Sequence, residues 1–278
     1  MKKLFALALA AALMISLVAC GGEKKTYDNR LEEILDRGYI PVATEPYFAP
    51  NEFIDPSKEG DEKYVGSDIE LAKYIADKLG VECRIVPLEF TEVLSSVSYG
   101  KYDLAISALS YTPDRAESMN LSKGYYTNED TEGYGFMVRA DKRDNYPTPE
   151  SFKDAVLVVQ KGSLQEALIN DQIPEYKEIK YVSSMEDSFL MVKEGKADAA
   201  ACYIGNARIW AEKNGDVDIA KDFKFNVDDF SGTRIGMLKG EDELTERINE
   251  IIDELVESGQ YKTWYNDYSD YARQLGID

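Results

Sequence analysis

No histidine occurs anywhere in this chain of 278 residues, and cysteine is limited to Cys20, Cys83 and Cys202. Without imidazole there is no Ser-His-Asp or Cys-His catalysis and none of the common imidazole metal sites, so neither a metal nor a cofactor is expected. Basic residues are scarce as well. Lys and Arg number 32 against 52 Asp and Glu, a net charge of −20. Such a surface repels phosphate backbones and anionic lipid, which argues against a nucleic-acid partner.

What is present is enough for a large core. With 44% hydrophobic and 11% aromatic residues, the chain is globular and long enough for two lobes of ordinary domain size. It opens with an address: Lys2 and Lys3 precede an apolar run, Leu4 to Val18, too short for a comfortable transmembrane helix. Residues 1–19 therefore read as a secretory leader. Without its two lysines, 30 basic residues face 52 acidic ones, a charge of −22. Leu17-Val18-Ala19-Cys20 resembles a lipobox, which makes Cys20 the lipidated N-terminus and residues 20–30 a tether to the membrane. Cys83 and Cys202 are expected in different lobes and so unpaired.

Periodicity then alternates. A short amphipathic helix ended by Gly38 leads to a strand over Tyr39 to Thr44, followed by an irregular loop, Glu45 to Pro50. Ser67 or Asp68 is expected to cap a helix whose face carries Ile69, Leu71, Ala72, Ile75 and Leu79. Strands over Val81 to Leu88 and Asp103 to Ser110, with a helix over Glu92 to Tyr99 between them, complete a βαβαβ unit with a parallel core. A second set follows. Strands are expected at Gly133 to Arg139, Val156 to Gln160, Lys180 to Val182 and Asp198 to Tyr203. Ser163 to Glu166 has the spacing of a capping box, and Ser184 with Asp187 caps a further helix. The chain closes with a strand, Thr233 to Leu238, and helices over Asp242 to Val256 and Gln260 to Tyr268.

The stretch Ser107 to Arg115 is the chemical centre of this pattern. Its strand runs into a helix with Thr112 as N-cap and Pro113 in the first helical position. Amide donors and the positive helix end then converge where Ser110 and Arg115 stand, an arrangement suited to a carboxylate. Read on these residues alone, the stretch is more simply a capped helix with Arg115 as a solvated surface residue.

Over residues 39 to 268 the chain resembles the extracytoplasmic solute-binding proteins of polar amino-acid ABC importers. The resemblance rests on Thr44-Glu45-Pro46-Tyr47-Phe48-Ala49-Pro50, on Val65 to Ala72, and most of all on three further stretches: Asp103 to Ser110 with Thr112-Pro113-Asp114-Arg115, Gly162-Ser163-Leu164-Gln165-Glu166, and Gly195 to Ala200. It implies an α/β, two-lobed periplasmic-binding-protein-like fold with two hinge strands. One lobe would be discontinuous, residues 31–130 and 232–278, and the other would be residues 131–231. The crossings would fall near Thr131 to Gly135 and Asp229 to Thr233. The partners implied are a small-molecule ligand, most simply an amino acid, and an ABC permease; the protein would be a monomer, lipid-anchored outside the cytoplasm.

The resemblance also implies a ligand set. Arg115 would hold the α-carboxylate with Ala108 and Ser110 beside it, and Ser163, Leu164 and Gln165 would close from the second lobe. Phe48 and Phe90 would flank the ligand's side chain, although either could be core packing; Gln160 and Gln165 could instead be solvated. Asp68 reads as a helix cap. The position that decides ligand class departs from the family: its aspartate for the α-ammonium is replaced here by Tyr203, and a phenol does not neutralise an ammonium at pH 7; Ser67 also stands where the family usually has an aromatic residue. Glu45 could take over that role, or the ligand could lack the amino group. A secreted dehydratase using Glu45 as general acid, and a sensing module for a membrane receptor, remain alternatives.

Overall fold

The structure is a computed structural model that describes residues 25–127, 133–227 and 232–277. The leader with Cys20, and the parts of the two expected crossings at residues 131–132 and 229–231, lie outside the described residues. The first sheet is built in the order β5-β1-β6-β13-β7, from β1 (Tyr39–Thr44), β5 (Glu82–Pro87), β6 (Leu104–Ser110), β7 (Met119–Leu121) and β13 (Thr233–Leu238). The strands β5, β1 and β6 are parallel, as βαβ crossovers require, while β13 returns antiparallel beside β6.

Both faces of this sheet are covered. Val42, Leu104, Ile106, Ile235 and Met237 pack on α1 (Arg30–Arg37), α2 (Ser67–Leu79), α8 (Asp242–Ser258) and Tyr261 of α9 (Gln260–Leu275). On the other face Ala43, Ala105 and Leu109 meet Phe90, Val93 and Val97 of α3 (Phe90–Ser98). Strands buried on both sides explain the near-continuous apolar run at Leu104 to Ile106.

The second sheet has the order β10-β9-β11-β8-β12, from β8 (Tyr134–Arg139), β9 (Val156–Gln160), β10 (Glu178–Val182), β11 (Ala199–Tyr203) and β12 (Val217–Ile219). Phe136, Leu157, Val159 and Ala199 face α5 (Leu164–Gln172) and the rings of Phe152, Phe223 and Phe225. Met137, Val158 and Cys202 face α6 (Met185–Lys193) and α7 (Ile204–Asn214). The fold is thus α/β and two-lobed. Cys83 and Cys202 sit in different sheets and are free.

Several local expectations change. The loop after β1 is not wholly irregular: β2 (Tyr47–Phe48), β3 (Glu52–Ile54) and β4 (Tyr64–Val65) form a small antiparallel sheet. Neither Ser67 nor Asp68 caps α2. The N-cap is Gly66 at φ +133°, where a Cβ would stand 2.1 Å from the Asn51 carbonyl oxygen, so only glycine fits. Helix α7 begins at Ile204, directly after Tyr203, with no capping side chain to announce it.

Candidate ligand-binding site

The carboxyl ends of β1, β6, β9 and β11 open into one cleft of about 380 Å³, the size range of small-molecule pockets. All eleven residues singled out from the sequence, Glu45, Phe48, Phe90, Ala108, Ser110, Arg115, Gln160, Ser163, Leu164, Gln165 and Tyr203, line it.

Arg115 dominates the cleft electrostatically. It sits on α4 (Pro113–Ser118), whose N-cap Thr112 accepts the Arg115 amide at 3.2 Å, as the Thr-Pro pair predicts. Its side chain is buried; Nη1 donates to the Ser110 carbonyl at 2.7 Å and Nη2 crosses the cleft to the Gly162 carbonyl at 2.9 Å. The guanidinium carbon lies 5.4 Å from the centre of the Phe90 ring. Phe90 is therefore both core and cleft wall. Among the described residues no carboxylate pairs with Arg115, and burial pulls it down to about 10. A buried guanidinium bonded only to carbonyl dipoles is a site prepared for an anion.

The facing lobe supplies donors. Ser163 caps α5, its Oγ accepting the Glu166 amide at 3.2 Å. The expected capping box is incomplete, because Glu166 Oε2 accepts the Gly162 amide at 2.6 Å and not that of Ser163. Leu164 and Gln165 occupy the first turn of α5, where amides have no intrahelical acceptor. Gln165 is buried.

Glu45 is the acidic group of the cleft opposite Gln160. It is 4% exposed, its Oε1 accepts from Gln160 Nε2 across the cleft at 2.7 Å, and burial pushes it up to about 8. The same Gln160 nitrogen donates to the Ser183 carbonyl at 2.8 Å, so Gln160 is buried and fixed, not solvated. Phe48 leaves the first lobe to pack against the second-lobe cluster around Met185 and Trp210. The lobes are also joined by Asn206 Nδ2 donating to the Ala49 carbonyl at 2.9 Å, and by Lys213 Nζ on the Gly276 carbonyl. These contacts make the structure a closed one.

Beneath the cleft lies a polar network that sequence reasoning missed. Between Ala105 and Leu109, β6 loses register with β13, and the bulge puts Ala108 at φ +45°. Its amide donates to Asp68 Oδ2 at 2.7 Å, which holds this costly backbone in place. Asp68 also accepts from the phenols of Tyr125 and Tyr261, and Tyr261 in turn meets Asn51 and Ser67, each at 3.0 Å. Asp68 is structural, but as a buried acceptor and not as a cap. Ser107 Oγ accepts the Glu45 amide at 3.1 Å and donates to Glu52 Oε1 at 2.9 Å. Burial, with the Asp68 charge adding to it, holds Glu52 well above the usual carboxylate range. Among the described residues Glu52 Oε2 is buried without a hydrogen-bond partner, and a proton held between it and Asp68 would satisfy both groups. Nothing in the pattern Asn51-Glu52-Phe53 signals this, since the pairing runs between residues far apart in the chain.

Residues 40–271 match the model of the bacterial extracellular solute-binding proteins, family 3. The arginine-binding extracellular protein ArtP of Bacillus subtilis is 26% identical over 272 residues, covering 95% of this chain and 98% of that protein. The histidine-binding periplasmic protein of Escherichia coli is 28% identical over 240 residues, 84% of this chain and 88% of its own. Among solved structures, an amino acid ABC transporter substrate-binding protein, AbpA, from Streptococcus pneumoniae bound to L-arginine superposes with a TM-score of 0.76 at 32% identity, covering 89% of this chain and 99% of that one.

Proposed function

The chain belongs to the bacterial extracellular solute-binding proteins, family 3, and on that footing we propose that it captures an amino acid between its lobes for an ABC importer. The observation that carries this is Arg115, buried in a closed cleft without a carboxylate partner among the described residues. Arg115 receives the α-carboxylate, with the Ser110 hydroxyl and the first-turn amides of Leu164 and Gln165 as further donors. Glu45 receives a cationic group of the ligand, consistent with relatives named for arginine and histidine. We assign residues 31–130 and 232–278 to one lobe, residues 131–231 to the other, and the hinge to the crossings between them.

Closure is then gated by charge. Shutting the empty cleft strips water from a guanidinium and a carboxylate that do not pair with each other, and both costs fall when a zwitterion or a basic amino acid enters. The sign follows from Glu45. Its pKa rises from 4.5 in the usual state to about 8 when enclosed, so closing takes up a proton between those values. Acid therefore favours the closed empty form, and that preference fades as pH climbs toward 8. Small-angle scattering of ligand-free protein should show compaction from pH 8 to pH 5. Glu45→Gln should stay compact across the range, and should bind a basic amino acid about tenfold or more weakly, since it offers a dipole in place of a charge.

The direct test is a thermal-shift screen of residues 26–278 against amino acids and small carboxylates. A ligand at a hundred times its dissociation constant stabilises by about 2.7 kcal/mol. An absence of any shift would sink the reading. Binding without turnover is part of it: a ligand recovered chemically changed would point instead to Glu45 as a general acid. The same charge logic serves a sensing module that hands its closed form to a receptor, and a neighbouring permease and ATPase gene pair would favour import.

No helix among the described residues is long and apolar enough to cross a membrane. Attachment is assigned to a lipid on Cys20. Cys20→Ala should release the protein from the membrane fraction, and a variant that sediments with membranes as wild type does would refute the anchor.

A further inference from the structure

Asn206 and Lys213, which both bond the facing lobe, come from one face of one helix. They stand seven residues apart on α7, two turns along and within about 20° of the same direction, so both side chains leave the helix on one side about 10 Å apart. Asn206 Nδ2 donates to the Ala49 carbonyl at 2.9 Å, and Lys213 Nζ donates to the Gly276 carbonyl. The helix itself is fixed to the second sheet, where its Ile204, Ala207 and Trp210 are buried with Met137 and Cys202.

Both acceptors belong to one packed unit on the other side. Ala49 lies in the turn between β2 and β3 and is buried with Phe53, Val65 and Ala272, against which Leu275 and Ile277 pack. Gly276 is the C-cap of α9, so its carbonyl stands at the helix end where carbonyls lack intrahelical donors and the dipole is negative, a place that favours an ammonium. The Asn206 bond is partly shielded from water and the Lys213 bond is exposed, which makes the first the stronger. Each joins protein to protein. Lys213 is not a lining residue of the cleft, while Asn206 stands in its wall.

We propose that Asn206 and Lys213 form a latch between the lobes, positioning residues that stabilise the closed form and so set how tightly the cleft holds an amino acid without choosing which one. Bonds of this kind add to the closed state whether the cleft is empty or filled, and apparent affinity scales with the fraction of protein that is competent to bind. The effect on affinity rests on the reading of the cleft as an amino-acid site. The latch itself is a property of the lobes.

The test compares wild type with Lys213→Met, Lys213→Arg and the double variant Asn206→Ala with Lys213→Met. In small-angle scattering the empty double variant should be more expanded than empty wild type, and the two should coincide when saturated with L-arginine. In stopped-flow measurements it should release L-arginine and L-histidine about three- to tenfold faster than wild type, by the same factor for both. Lys213→Met should show about twofold of this, and Lys213→Arg, which keeps a donor, should behave as wild type. Identical scattering of the two empty proteins overturns the latch, as does release from the double variant at the wild-type rate. An effect confined to one amino acid also overturns it, by making Asn206 a ligand contact. If neither amino acid binds wild type, the capture reading falls, and the scattering of the empty proteins still decides the latch.

Discussion

Arg115→Ala should abolish binding of any carboxylate ligand while the protein folds as before. Removing one partner of a buried charge pair costs roughly 2–5 kcal/mol, which is about thirty- to several-thousand-fold in affinity. The structure adds a second expectation of opposite sign. In the ligand-free closed form Arg115 is buried against the Ser110 and Gly162 carbonyls with no carboxylate among the described residues, so its removal relieves a desolvation cost. Thermal melting of the empty variant should therefore match or exceed wild type, even as calorimetry records no binding. A variant that binds normally would take Arg115 out of the carboxylate site, and one that melts far below wild type would make its role structural.

Asp68→Ala should destabilise the first lobe by about 3–5 kcal/mol, because three donors converge on this carboxylate and each buried donor left unpaired costs about 1–3 kcal/mol. Those donors are the Ala108 amide and the phenols of Tyr125 and Tyr261. Glu52→Gln is the informative companion. A glutamine amide can donate to Asp68 as a protonated Glu52 carboxyl would, so its melting temperature should stay near that of wild type at neutral pH. At alkaline pH it should become the more stable of the two, since wild type alone must then place a second negative charge beside Asp68. A Glu52→Gln variant already more stable than wild type at neutral pH would mean that Glu52 is ionised in the fold.

Much of the site was legible because its signals are local. Thr112 and Pro113 start α4 through contacts within three residues, which points Arg115 at the end of β6 whatever else the chain does. Ser163 starts α5 in the same way. The exact pairing of Tyr203 with Tyr134 is different in kind, since it joins residues about seventy positions apart through strand register, and only Tyr203 could be picked out beforehand. Helix α7 escaped notice because it opens on Tyr203 with no side-chain cap, so no local pattern marks its start. Asn206 and its bond to the first lobe were lost with it.

Composition and periodicity were sufficient for the α/β fold class, through two runs of alternating strands and helices, while the resemblance of particular stretches carried the reading as a solute-binding protein. These follow from short-range chemistry, in which a cap, a breaker or a period acts within a few residues. The charge states inside the cleft needed the assembled fold. Glu45, Glu52 and Asp68 look like ordinary acids in the chain, and the enclosure of all three, with Asp68 surrounded by phenols and Glu52 pressed against it, comes from β1, β3, α2 and α9 being packed together. Desolvation depends on every atom that displaces water from a group, and most of those atoms arrive from remote parts of the sequence.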